Sequence, residues 1–112
     1  MAFSEGNANG MLNGTTEVTV VPAPRDSVSR IVRLVNVFND DTGTLTLQLY
    51  LKDGATLRQL YQEALATKIT GEYPKGRGVY VLDTATKSIV AKLTGVPAAN
   101  QPVFSAHWGD SS

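Results

Sequence analysis

The sequence predicts an all-β chain, folded as an antiparallel β-sandwich or small barrel. Three observations carry this. Leu45, Leu47, Leu49 and Leu51 alternate with Thr44, Thr46, Gln48, Tyr50 and Lys52, which is the period of a strand with one buried face. Other short runs are rich in β-branched and aromatic residues, the composition that suits a pleated surface. Clusters of Gly, Pro, Asn and Asp separate these runs, so the chain reads as about six or seven short strands with hairpin connections.

The first segment, residues 1–16, reads as an extended N-terminal arm ahead of a β-sandwich domain over 17–112. The arm is dense in Asn and Gly. Its large apolar residues, Phe3, Met11 and Leu12, follow neither a strand nor a helix period. Taken alone, such a stretch buries too little surface to offset its ordering entropy. Glu17-Val18-Thr19-Val20-Val21 is β-branched and stops at Pro22, so it reads as a short strand with an extended connector after it.

Residues 28–39, VSRIVRLVNVFN, are apolar on both faces, as a central or doubly covered strand would be. Asp40-Asp41-Thr42-Gly43 is a turn, because Asp bonds its own backbone and Gly accepts positive φ. With the leucine strand it predicts a hairpin around DDTG. Lys52-Asp53-Gly54 turns the chain again. Over 56–66, Leu57, Leu60, Tyr61, Ala64 and Leu65 fit helical spacing, so a short helix competes with a strand there. Residues 69–78 read as a Gly- and Pro-rich loop. GVYVLD and SIVAKLTG predict a second hairpin. The last run, VFSAHWG, places Phe104, Ala106 and Trp108 on one face.

Composition narrows the function classes. The chain has 112 residues, the size of one domain, and 42% of them are hydrophobic, enough for a core. Ten basic residues balance ten acidic ones, so there is no basic excess for nucleic acid or a membrane surface. There is no cysteine and a single histidine, His107, which removes the common zinc sets and any disulfide. Neither a basic-then-apolar leader nor a membrane-length apolar run is present, so the chain is expected to be made in the cytoplasm.

No enzyme constellation emerges. Asp41-Thr42-Gly43 matches the tripeptide of aspartic proteases, whose paired carboxylates share a proton. Asn39 and Asp40 precede it instead of apolar strand residues, and a hairpin turn calls for the same three residues. Asp40, Asp41 and Asp53 fit no calcium-loop spacing. Lys75-Gly76-Arg77-Gly78 lacks the ending of a phosphate loop. Tyr73, Lys75 and Arg77 instead suggest an exposed protein contact, since Tyr and Arg are frequent interface anchors. His107 has no partner acid or nucleophile pattern beside it beyond Ser105. No cofactor, metal or catalytic residue is expected.

The order of these pieces carries a resemblance. A proline-bearing β start leads into RIVRLVNVFNDDTGTLTLQLYLKDG, then GVYVLD and SIVAKLTG, and the chain closes on PVFSAHWGD. Over residues 17–110 this resembles the small β-sandwich virion proteins of tailed bacteriophages, the capsid cement and decoration proteins. The resemblance implies a non-enzymatic structural protein on the capsid exterior. Its partner would be the major capsid protein, with self-association, a trimer included, also open. It favours strand over helix at 56–66. It also gives the arm a use: Phe3, Met11 and Leu12 would be apolar studs laid along a neighbouring subunit, with Gly6, Gly10 and Gly14 allowing close approach. The alternatives are a phage tail or head–tail adaptor subunit, a glycan-binding sandwich using Trp108, Tyr80 or Tyr73 as a platform, and an aspartic protease.

Overall fold

The computed structural model describes residues 3–76 and 78–111. It is all-β, with nine strands among these residues: β1 Phe3–Met11, β2 Val18–Val21, β3 Ser29–Phe38, β4 Leu45–Asp53, β5 Thr56–Leu65, β6 Thr70–Tyr73, β7 Tyr80–Leu82, β8 Lys87–Leu93 and β9 Val103–Ser111. They form two antiparallel sheets. One runs β1-β9-β3, with β6 and β7 sharing the far side of β3; the other runs β2-β8-β4-β5.

The leucine strand is built as its alternation predicts. Leu45, Leu47 and Leu49 are buried while Thr46, Gln48 and Tyr50 are half-exposed. Phe104, Ala106 and Trp108 of β9 face them across the sandwich in one core cluster, which Val32, Val35, Val37, Ile89 and Leu93 fill out. Burying a side chain of the Val, Leu or Phe class contributes about 1.5–3 kcal/mol, so these rows supply the force that holds the sheets together.

Several sequence expectations are corrected. The DDTG turn does not close a hairpin: β3 lies in the five-stranded sheet and β4 in the other, so residues 39–44 cross between layers. GVYVLD and SIVAKLTG are split in the same way, with β7 on β3 and β8 between β2 and β4. The hairpin of the four-stranded sheet is β4–β5, closed where Asp53 pairs with Thr56. Thus 56–65 is strand, as the resemblance favours, and not the short helix that its spacing allows. It is an edge strand, mostly exposed, and cross-strand pairing to β4 overrides its helical spacing. Residues 70–73, expected as loop, are strand β6, paired to Val35–Phe38.

In β3 a register shift between Val32 and Leu34 changes the parity of the strand. Val32, Val35 and Val37 therefore all point inward. Ile31, Leu34 and Phe38 stay half-exposed on the outer face. The run is therefore apolar on both faces without being covered on both, and the bulge sets which of its residues turn inward. The expectation of a central strand holds, since β9 lies on one side of β3 and β6 and β7 on the other.

The arm is the largest correction. Phe3–Met11 is a strand of the domain's own sheet, paired to β9 from Phe3↔Ser111 to Met11↔Val103 without a register shift. Beyond it, the Leu12 N–H donates to the Pro102 carbonyl at 2.9 Å, and the Gly14 N–H donates to Gln101 Oε1 at 2.8 Å. The segment has no hydrophobic period, yet it is held on one side by β9 and at its end by the 101–102 connector.

Candidate functional site

The amino-terminal strand explains its own composition once its neighbours are known. Gly6 is paired directly with Trp108, and Gly10 with Phe104. A Cβ at Gly6 would stand 2.5 Å from Trp108 Nε1 and 2.7 Å from Cε2. One at Gly10 would stand 2.9 Å from both Cε2 and Cζ of Phe104. Each ring of β9 thus lies across the bare backbone of β1, and only glycine leaves room for it. Gly6 and Gly10, expected to approach a foreign surface, approach the chain's own aromatic rings, while Gly14 takes a positive φ beside Val96 and Gln101.

Trp108 is fixed from a further direction. The Arg30 guanidinium sits 4.7 Å from its ring centroid, a cation–π distance. Arg30 Nε and Nη2 donate to the Asp110 carboxylate at 2.8 and 3.0 Å, and Nη1 donates to the Pro22 carbonyl at 2.7 Å. The hydrogen bonds from Arg30 lower the pKa of Asp110. This bidentate pair ties the start of β3 to the end of β9. On the outer face, Arg33 Nη1 donates to Glu5 Oε1 of β1 at 3.0 Å.

At the opposite end of the sandwich, Asp41 is a buried carboxylate. It accepts the backbone N–H groups of Ala98, Ala99 and Asn100 at 3.0, 2.7 and 3.1 Å. The Asn100 amide leads the backbone donors that hold its pKa down to about 2, against the opposing effect of burial. Asn39 is fully buried beside it. Its side-chain amide donates to the carbonyls of Gly43 and Leu65, and its carbonyl oxygen accepts the Asp41 N–H. The DTG tripeptide is therefore the anchor of the connector over 96–102.

The expected contact residues separate into distinct environments. Leu12 and Tyr73 belong to the core and are not on the surface. The Tyr73 hydroxyl donates to Glu63 Oε1 at 2.9 Å, and burial, followed by that carboxylate, raises its pKa. Lys75 lies over the Tyr73 ring at 5.0 Å and 3.3 Å from Glu63 Oε1. Arg77 lies outside the described residues, as does the side chain of Phe3. Met11 is on the surface, 61% exposed, in a cross-strand row with Val103 and Phe38. The glycan platform is not formed: Trp108 and Tyr73 are buried and Tyr80 is half-buried. Among the described residues no group of three or more His, Cys, Asp or Glu side chains could hold a metal ion. No helix among them is long and apolar enough to cross a membrane.

What sequence reasoning missed is the free edge of β1. Among the described residues this strand is hydrogen-bonded to β9 on one side only. The signal was present in FSEGNANGM, whose small polar residues alternate with Gly and Ala, but nothing in it names β9 as the partner.

No family model matches this chain, and comparison with curated proteins finds no match. Among solved structures the chain is similar to one described as the crystal structure of PirA, with a TM-score of 0.52, 11% identity and 91% of each chain covered. It is also similar to a chain of the cyanophage Pam1 capsid asymmetric unit, with a TM-score of 0.51 and 17% identity, covering 97% of this chain and 82% of that one. At these identities the likeness is one of fold.

Proposed function

We propose that this chain is a non-enzymatic phage structural protein that binds the outside of the capsid as a cement or decoration protein. The observation that supports this most directly is the shared sandwich, over 97% of this chain, with a chain of a cyanophage capsid asymmetric unit. The chemistry of the molecule agrees. The carboxylate of the protease-like tripeptide has three backbone amides bound to it, so Asp41 serves the fold and is not presented for a shared-proton dyad. His107 is exposed on the outer face of β9, and among the described residues no acid is hydrogen-bonded to it. The balanced net charge suits a protein packed at high density on a lattice.

In this reading the partner is the major capsid protein, and repetition over many lattice sites multiplies a weak single contact. The test is reconstitution: purified chain is added to phage capsids stripped of it, followed by cryo-electron microscopy and thermal melting of the shells. Ordered density on the exterior at capsomer junctions, with a raised melting temperature, is the expected result. Absence from the shell with presence in tails would replace this reading by the tail or adaptor one.

A further inference from the structure

Four sheet edges are open to solvent or neighbours, and three carry devices that discourage pairing. Strand β2 has four residues, a register shift between Thr19 and Val21, and Pro22 at its end. The far side of β3 is divided between β6 and β7, of four and three residues, with Pro74 after β6. Strand β5 faces a register shift between Leu49 and Tyr50 and carries Arg58 and Glu63. Strand β1 is long and unbroken and carries a single charge. Its nine residues pair with β9 in unbroken register, and they include no proline, lysine or arginine. Its single charge, Glu5, is paired with Arg33.

We propose that β1 pairs antiparallel with β1 of a second copy of this chain, about a twofold axis at Asn7, joining the two five-stranded sheets into one continuous sheet. Asn7 is the midpoint of Phe3–Met11, so this register uses the whole strand. Glu5 then faces the neutral Asn9 of the second copy, and the two Glu5 residues stand on opposite sides of the axis. Gly6 faces Ala8 of the second copy, and Ser4 faces its Gly10, so all the inner positions are small. At both ends Met11, 61% exposed in the single chain, comes opposite Phe3 of the other copy. Directly opposed like charges destabilise an antiparallel pair, and this register contains none. The contact is isologous and closes at two copies. It is a property of the isolated chain and stands whether or not the capsid reading does.

Sedimentation of the full chain tests this at concentrations up to about 1 mM, the range of a weak dimer. The expected species has twice the 12.0 kDa mass of the chain. Asn7 and Asn9 are exposed in the single chain, so changes there leave its fold intact, which Trp108 fluorescence checks. Asn7→Lys and Asn7→Asp should each weaken the dimer, and an equimolar mixture of the two should restore it. Asn9→Glu sets two like charges against Glu5 and should weaken the dimer by up to about fivefold per pair, whereas Asn9→Lys should tighten it. A wild-type chain that stays monomeric over the whole range overturns the proposal and leaves the edge to a strand of a different protein. A dimer indifferent to all four substitutions overturns it as well.

Discussion

Placing a methyl group at Gly6 sets two rules of strand stability against each other. Glycine inside a strand costs about 0.5–1 kcal/mol relative to alanine through lost backbone freedom, so Gly6→Ala taken locally should stabilise the protein. The structure predicts the opposite sign. The new Cβ would lie 2.5, 2.7 and 3.0 Å from Trp108 Nε1, Cε2 and Cζ2, where carbon contacts prefer about 3.5–4.0 Å. The ring must withdraw by about 1 Å. It is not free to do so, because Arg30 lies against it and is held by Asp110 and Pro22. Overpacking of this kind costs about 1–3 kcal/mol. Because the ring is held, the cost lies toward the upper end, about 2–3 kcal/mol, and subtracting a glycine gain of about 1 kcal/mol leaves a net loss of about 1–2 kcal/mol. In a domain of this size that lowers Tm by roughly 4–8 °C. Trp108 is the sole tryptophan, so its emission reports both the melt and the displaced ring. Gly43→Ala is the control, since nothing stands within 4 Å of a Cβ there. A Gly6→Ala protein as stable as the parent, with unshifted emission, would refute the account of how β1 is held.

Asn39→Ala leaves the Leu65 carbonyl and the Asp41 N–H without their side-chain partner, at about 1–3 kcal/mol for each buried group; urea melts should show a loss of at least about 2 kcal/mol. Asp41→Asn should lower the urea midpoint at pH 7. Because the folded-state pKa of Asp41 is depressed from 3.8 to about 2, its contribution is complete above pH 3.8 and fades as pH falls toward 2. The gap between parent and variant should therefore close over that interval, and a gap unchanged at pH 2 would count against the latch. Leu49→Ala, at a fully buried site, should cost about 2–5 kcal/mol, measured by the same melts. Removing residues 1–16 should strip the pairing partner from β9 and expose Trp108, so the truncated chain should melt less cooperatively and show a red-shifted emission.

The sequence by itself determined what is periodic and local. Alternation over Leu45–Leu51 fixed both the strand and its buried face, and VFSAHWG did the same for Phe104, Ala106 and Trp108, because strand faces follow directly from a period of two. Turn chemistry placed the bend at Asp53-Gly54. It does not say whether a turn closes a hairpin or carries the chain to the other layer, since Asp and Gly serve both, and at DDTG the chain crosses between layers. The bulge in β3 was hidden because both faces of the run are apolar, so no break in alternation marks the extra residue. Helical spacing at 56–65 gave way to pairing with β4, an interaction supplied by another segment. The role of the first strand was decided by tertiary structure alone. FSEGNANGM has no hydrophobic period, and its glycines are of use only where the rings of Phe104 and Trp108 lie across them. Those rings come from the far end of the chain, and no local pattern encodes a contact whose two halves are separated by nearly the whole sequence.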